Sequence, residues 1–581
     1  MMSKKCFFCC FLPALALGLL NLSARPDGNI LAQQKQDIQK PSYEVEVTVT
    51  NVDVVVTDKD GNRVTGLKPE NFEIYEDNLR MRLTNFYELK GMEAYTPAAR
   101  AEEEVPLPPS RQLIIQPTQF KNKIIFYFDN WHLHPMNRNW SIKKLETFIQ
   151  NNFPPQNAIN EGMVVCLSQK LEIIQEFTSN QGQLRAALDD VKKRSGQSLL
   201  QLKTKEDMKR ELNRMVSDFS RGNNRYEAFG QAMSYAKNYV EAENNDLSYS
   251  LKSLSAFVDH ITGIEGKKML IYVSDGLPLN PGEEVFSYID NAFPVGNARA
   301  EAMNYDATNV FKELTARCNA SEITIYPINA RGLETMALTA DKAIGWDTYS
   351  RGSGMMRATS RLRNDALELM ANDTGGVSIL NTNAIAAGLE EIKDDLQFYY
   401  SLGYVSPDKA EGEYHTIDVK LVGIEGKYNV RVRHGYMRVS QEAKIRESVY
   451  SRLFLRRPEN PMQLKALIMS VEPMRSSKKL CLNVKILIPI KNLTLYSGED
   501  EYIGQVKVYI ALKDSQNHFS PCHELTEDIE IPFKHYETAL RSYYPYVAEM
   551  YVDPGDYTIS LAVKDVAANV LNYLQLEEEI E

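Results

Sequence analysis

The chain is poor in several residues that would point to a specific chemistry. Its 581 residues hold seven cysteines, eight histidines and three tryptophans. Cys6, Cys9 and Cys10 lie in the first ten residues, so only Cys166, Cys318, Cys481 and Cys522 belong to the body of the chain. None forms a CxxC pair or has a histidine at zinc spacing, which excludes a zinc finger or ribbon. Two readings of Cys481 and Cys522 stand. They form a disulfide within one β-rich region, or they are free thiols packed like small apolar residues. There is no G-x-S-x-G for a nucleophile elbow. Gly263-Ile264-Glu265-Gly266-Lys267-Lys268 lacks phosphate-loop spacing and precedes a strand where such a loop should follow one. Basic residues are outnumbered, 66 to 77, for a net charge of −11. A nucleic-acid partner is therefore not expected, because phosphate binding needs a basic face. After residue 32 no apolar run approaches the roughly 20 residues of a bilayer span, so no membrane span is expected in the mature chain.

One apolar run is present at the start. Lys4 and Lys5 precede Cys6–Leu20, a stretch of 15 residues, and Ala24 and Ala32 are candidate cleavage points. This is the layout of a secretory signal peptide over 1–32; the alternative is an uncleaved N-terminal anchor. The expected compartment is periplasmic, cell-surface or secreted. At this length three or four domains are expected.

Beyond residue 42 the pattern turns to strict alternation. Val45, Val47 and Val49, then Val52, Val54 and Val56, mark half-buried strands. Asp58-Lys59-Asp60-Gly61 marks a turn, with Gly supplying the positive φ. Its DxDG start resembles a calcium loop, but the twelfth position, where a glutamate is needed, is Pro69. These strands define a small β-domain over 43–90, and a Pro-, Ala- and Glu-rich linker occupies 91–118.

From Lys123 strands alternate with helices. Apolar runs at Ile124–Phe128, Met163–Leu167, Lys268–Val273 and Ile323–Ile328 read as strands covered on both faces. Helical spacing falls at Ser141–Gln150, Leu184–Val191, Asn304–Arg317, Leu362–Asn372 and Ile385–Leu396, and along the charged segment 200–260. Regular β–α alternation with unbroken apolar strands means a doubly wound parallel α/β sheet. Its extent is set at 119–440, with Tyr414–Val422 and Asn429–Arg433 as strands that close or extend it. Gly352-Ser353-Gly354 falls in an irregular stretch, 331–360, and Thr374-Gly375-Gly376 reads as a helix stop. Residues 441–460 read as a connector. Regularly spaced short strands over 461–581 suggest an immunoglobulin-like β-sandwich. Glu577–Glu579 and Glu581 form a solvated acidic tail.

Ligands of open parallel sheets bind beyond the carboxyl ends of the strands. Two such ends carry aspartates, Phe128-Asp129-Asn130-Trp131-His132-Leu133 and Val273-Ser274-Asp275-Gly276. The ordered series VTDKDGNRVTGLKPENFEIYED (56–77), FYFDNWHL (126–133), EFTSNQGQLRAAL (176–188), IYPINARGL (325–333), NDTGGVSILNTN (372–383), YYSLGYVSP (399–407) and RVRHGYMR (431–438) resembles the von Willebrand factor A-related proteins of the acidobacterial type. The resemblance covers most of 43–437. It implies a metal-ion-dependent adhesion site, in which an Asp-x-Ser-x-Ser motif, a threonine and a second aspartate hold Mg²⁺ and a partner's carboxylate completes the octahedron. On this chain Asp129 matches the first aspartate and Asp275 the second, and Ser198, in Ser195-Gly196-Gln197-Ser198, stands near the threonine position. Trp131 and Leu133 occupy the serine positions and cannot coordinate a cation that demands six oxygens. The motif is degenerate.

The bland alternative makes Asp129 and Asp275 structural, each capping a helix that follows its strand. His132 and His134 sit two apart with no third or fourth ligand in view, and read as exposed loop histidines. Trp131 is either a contact anchor or packing over the sheet edge. The expectation is an exported, non-enzymatic binding or scaffold protein with no cofactor. Its protein partner outside the cytoplasm would dock around Trp131, His132 and Leu133, with the 200–260 segment forming part of the surface. Mg²⁺-dependent adhesion through Asp129, Ser198 and Asp275 is the alternative, and an unrecognised hydrolase a remote one.

Overall fold

The computed structural model describes residues 49–90, 93–95, 122–154, 159–220, 224–293, 296–332, 353–382, 384–406, 412–455, 460–474 and 479–581. The expected signal peptide at 1–32 lies outside them. So does the expected linker at 91–118, apart from Glu93–Tyr95, which is a strand and not a linker.

Strands covered on one face and strands covered on both faces fall mostly into different sheets. The described residues open with β1 (Val49–Asp58), β2 (Phe72–Glu76), β3 (Leu79–Met81), β4 (Leu83–Lys90) and β5 (Glu93–Tyr95). Asp77 and Asn78, both at positive φ (48° and 66°), make the tight β2–β3 hairpin. The Asp58 carboxylate accepts from the amides of Asp60 and Asn62, so DxDG is a turn.

The second kind forms the central sheet. Its elements are β6 (Asn122–Asp129), α1 (Pro135–Asn152), β7 (Asn160–Leu167), β8 (Leu171–Thr178), α2 (Gln181–Lys193), α3 (Ser198–Ser220), α4 (Arg225–Ile261), β9 (Lys268–Ser274), α5 (Glu283–Ala292), α6 (Arg299–Ala302), α7 (Thr308–Ala320), β10 (Ile323–Asn329), α8 (Ser353–Thr374) and α9 (Ile385–Gln397). The order is β10-β9-β6-β7-β8, parallel except for the β8 edge. Successive side chains of β6 feed two cores. Ile124, Phe126 and Phe128 pack with α1, α2 and α9; Ile125 and Tyr127 pack with α4, α7 and α8. This two-sided burial is why these strands read as unbroken apolar runs. α3, the start of α4, α5 and α6 share a separate core around Leu212, Val240, Phe286 and Ile289. Ser353 and Gly354, expected as loop, open α8, and residues 333–352 lie outside the described residues. The helix does stop at Thr374: Gly375 takes φ +77°, and a Cβ on Gly376 would lie 2.1 Å from the Ile325 carbonyl oxygen.

The strands after α9 depart from the expected arrangement. β11 (Phe398–Val405), β12 (Tyr414–Leu421), β13 (Tyr428–Arg431) and β14 (Gly435–Met437) do not extend the parallel sheet. β11 and β13 pair with β1, β11 also pairs with β4, and β12 pairs with β2. The described part of the expected 43–90 domain, from Val49, is thus half of a β-sandwich whose other half comes from 398–437, and residues 43–48 lie outside the described residues. The α/β domain is inserted between the halves. Their shared core joins Val52, Val54 and Ile74 to Leu402, Ile417 and Val419. Pairing follows pattern: β12 alternates buried and exposed residues, and a one-sided strand has no place in a sheet covered on both faces.

At the seam between sandwich and α/β domain, Asp395 of α9 is wholly buried. Arg63 meets it at 2.5 Å, Arg431 at 2.7 and 2.9 Å, and the Tyr326 hydroxyl donates at 3.1 Å.

The expected connector contains a helix, α10 (Gln441–Ser451), clamped to the end of α4. The Ser448 hydroxyl donates to the Gly263 carbonyl (2.6 Å), and the Gly263 amide donates to the Ser451 hydroxyl (3.0 Å). The C-terminal region has β15 (Lys465–Pro473), β16 (Leu480–Pro489), β17 (Tyr496–Ser497), β18 (Glu501–Asp514), β19 (His523–Pro532), β20 (Tyr543–Val552), β21 (Gly555–Asp565) and β22 (Val570–Ile580). A β15-β16-β20 sheet and a β17-β18-β21-β22 sheet, with β19 also on β18, enclose one core. The acidic tail is not a free end: Glu577–Glu579 sit exposed on β22, paired along β21. The four cysteines among the described residues, Cys166, Cys318, Cys481 and Cys522, are free. Cys481 lies on β16 and Cys522 just before β19, so the disulfide reading gives way to free thiols.

Candidate functional site

At the carboxyl edge of the parallel sheet the structure assembles the three segments singled out in the sequence. Asp129 ends β6 with its side chain fully buried. Its Oδ2 accepts from the Tyr272 hydroxyl of β9 at 2.6 Å and faces His132 Nδ1 at 3.1 Å; its Oδ1 accepts from the Ser250 hydroxyl of α4 at 3.2 Å. Burial, reinforced by the Asp129 charge, holds the Tyr272 hydroxyl well above its ordinary pKa, so it stays a donor. Asp129 therefore does not cap a helix.

α4 supplies the rest of the brace. Asp246, Tyr249 and Ser250 share one helical face by their spacing. The Trp131 indole donates to Asp246 at 3.0 Å, and its ring lies 4.5 Å from that of Tyr249. Leu133 is 1% exposed and packs beneath α1. Trp131 and His132, both half-buried, are thus held by contacts within the edge, and Leu133 is buried in the core. His132, expected as an exposed histidine, is half-buried and bonded to Asp129 and Ser250.

Asp275, 5% exposed, serves the start of α1 instead of the helix that follows it. Its Oδ2 accepts from the His134 backbone amide at 3.0 Å, and Asn137 donates to both oxygens at 3.0 and 2.9 Å. Burial raises its pKa, opposed by Arg331 and these donors. His134 is the α1 N-cap, its ring accepting from the Met136 amide.

Ser198 opens α3, is buried, and donates to the Leu133 carbonyl at 3.0 Å. Beside it, a Cβ on Gly196 would fall 1.7 Å from the Asn130 carbonyl oxygen, so only glycine lets the two loops close. Arg138 adds a second tie, donating from Nη2 to the Lys192 carbonyl at 2.7 Å.

These residues do not match the donor set of an octahedral Mg²⁺ site. Both Asp129 oxygens and both Asp275 oxygens accept hydrogen bonds from protein groups. Trp131 and Leu133 offer no oxygen, and the Ser198 hydroxyl is turned to a carbonyl. Nor do Ser250, His132 and Asp129 form a nucleophile relay. Serine and aspartate meet the same imidazole nitrogen, whereas a relay needs one on each, and Ser250 is 2% exposed. Large apolar side chains do stand in solvent at this edge. Met136 at the start of α1 is 75% exposed, and Leu199 and Leu200 at the start of α3 are 57% and 60% exposed. The sequence reading missed them; the signal was an apolar pair directly after Ser198.

Among the described residues, three metal-ligating side chains come within 4.8 Å of one another elsewhere, at Glu76, Asp77 and His415 in the first sandwich. His415 Nδ1 lies 2.9 Å from Asp77, and the Ser406 and Tyr436 hydroxyls donate to Glu76 at 2.8 and 3.0 Å. They form a hydrogen-bonded polar cluster between β2 and β12.

No protein-family model and no curated protein matches the chain. Among solved structures it is similar to the conserved hypothetical protein BatB from Bacteroides thetaiotaomicron, at 10% identity over 47% of this chain and 98% of that one, with a TM-score of 0.22. It is also similar to three N-terminal domains of the type V pili tip protein Mfa5 from Porphyromonas gingivalis, at 10% identity over 76% and 75%, TM-score 0.24. A third likeness is to a von Willebrand factor type A protein from Catenulispora acidiphila, at 8% identity over 79% and 66%, TM-score 0.19. These likenesses are weak, and such scores fix neither family nor function for this chain. Among the described residues no helix is long and apolar enough to cross a membrane.

Proposed function

We propose that the chain is an exported, non-enzymatic binding protein whose von Willebrand A-like domain docks a protein partner on the carboxyl edge of its parallel sheet, without metal. One observation carries this reading: exposed Met136, Leu199 and Leu200 stand in the first turns of α1 and α3, which are braced by buried hydrogen bonds. Exposed apolar side chains on pre-organised backbone lose little freedom on binding and release water from a surface that water solvates poorly. Asp129 and Asp275 act as braces here. Their carboxylates hold the loops in place, which is the part a bound cation plays in a metal-dependent site.

Affinity capture of extracytoplasmic proteins from the source cells tests this, with the wild-type chain and a Leu199→Glu/Leu200→Glu variant, in EDTA and in Mg²⁺. The expected result is a partner retained equally with and without Mg²⁺ and lost by the double variant. Retention that needs Mg²⁺ and disappears in Asp129→Ala would establish metal-dependent adhesion instead. Retention indifferent to the double variant would move the docking surface off this edge.

A further inference from the structure

The inner face of the β15-β16-β20 sheet fills the C-terminal core, with Leu482, Val484, Ile486 and Ile488 fully buried. Strand alternation assigns polar residues to the outer face of such a sheet. Here that face carries Leu467, Val547, Tyr543 and Tyr551, exposed by 45%, 39%, 37% and 54%, with Met469, 53% exposed, at the β15 bulge. Scattered surface apolar residues need no explanation; five on one three-stranded face do.

The charges on this face are sorted by end. Register aligns Lys465 with Leu487 and Pro545, then Leu467 with Lys485 and Val547. Toward the other end it aligns Ser470 with Asn483 and Glu549, then Glu472 with Cys481 and Tyr551. Lysines thus occupy the first two rows and glutamates the last two. Among the described residues none of the four charges forms an ion pair; Lys465 lies over the Tyr543 ring at 5.0 Å, and Glu472 accepts from the Ser470 hydroxyl.

We infer that this face is the interface of a two-fold homodimer, in which a second copy packs its own outer sheet face-to-face with the strands reversed. A two-fold interface must be complementary to itself. A face with bases at one end and acids at the other meets that condition when turned round. The Lys465 row then lies over the partner's Glu472 row, and the Lys485 row over the Glu549 row. Stacked without reversal, lysine would face lysine. Three strands about 4.8 Å apart and about ten residues long offer roughly 500 Å² per copy, below the ~800 Å² per partner of a standard interface. The dimer is therefore reversible and concentration-dependent.

Sedimentation velocity of the full chain, from low micromolar to near-millimolar concentration, tests this. The mass should rise from one chain to two. Leu467→Asp/Val547→Asp should stay monomeric with an unchanged thermal midpoint, since both side chains are exposed. Lys465→Glu should weaken association roughly tenfold or more by placing like charges together, and Lys465→Glu/Glu472→Lys should restore it. A chain that is monomeric throughout, or a dimer indifferent to Leu467→Asp/Val547→Asp, overturns the proposal. A charge swap that restores nothing overturns the two-fold arrangement. None of these substitutions touches the Leu199–Leu200 edge, so this test and the capture experiment fail independently.

Discussion

Asp129 and Asp395 are both aspartates with no exposed surface, yet their surroundings differ in charge. At the seam, Asp395 is enclosed by two guanidinium groups and a tyrosine hydroxyl. At the sheet edge, Asp129 is enclosed by two hydroxyls and an imidazole. A buried charge must be paired or well hydrogen-bonded, and the two regions meet that demand in different ways. Opposite charges drawn from Arg63 and Arg431, remote in sequence, lock one domain onto another. Hydroxyl donors instead orient a loop without fixed countercharge.

The strongest way to break this comparison is Asp395→Ala. It leaves two partly buried guanidinium groups facing each other, and the expected loss is about 3–5 kcal/mol, read as a lowered urea midpoint. A loss no larger than that of a surface mutation would mean that the seam is hydrated and the distinction false. Asp129→Asn should cost less, about 1–3 kcal/mol, because it leaves no fixed positive charge uncompensated but puts an amide where Tyr272 or Ser250 donates. Equal losses for the two variants would show that donor count, and not countercharge, sets the cost.

The smallest effect sharpens the edge alone. The Asp275 pKa is raised in the folded state, chiefly by burial, above its ordinary 3.8. Between those two pKa values the folded chain binds the proton more tightly than the unfolded chain, so this group's contribution to stability falls as pH rises through that window. Asp275→Asn should remove that slope while Asn137 and the His134 amide keep an oxygen to donate to. Urea midpoints of the variant and the wild type, compared from pH 7 down to the carboxylate range, measure it. Identical slopes would place Asp275 in water.

Much of the fold was legible in the residues. KMLIYV and IIFYF announced strands covered twice, and their ends correctly marked Asp129 and Asp275 at one sheet edge. The partnership of 49–90 with 398–437 was legible in principle, because YHTIDVKL alternates as VTNVDVVV does and unlike the central strands. Sequence distance hid it, since β1 and β11 lie on either side of the whole α/β domain. The braces of Asp129 and Trp131 were not legible. Tyr272 reads as one more apolar strand residue, and Asp246 and Ser250 as the polar face of a long helix.

By itself, then, the sequence determined the strand types, the β–α order and the two aspartates at strand ends, because periodicity and turn chemistry are local properties of the chain. Only the tertiary structure decided that the first and last strands of that region share a sandwich, and that Asp129 is met by hydroxyls. It alone buried Leu133 and tied Trp131 to Asp246 while leaving Leu199 and Leu200 in solvent. Which groups meet a buried carboxylate depends on segments brought together across more than a hundred residues, and no local pattern records that meeting.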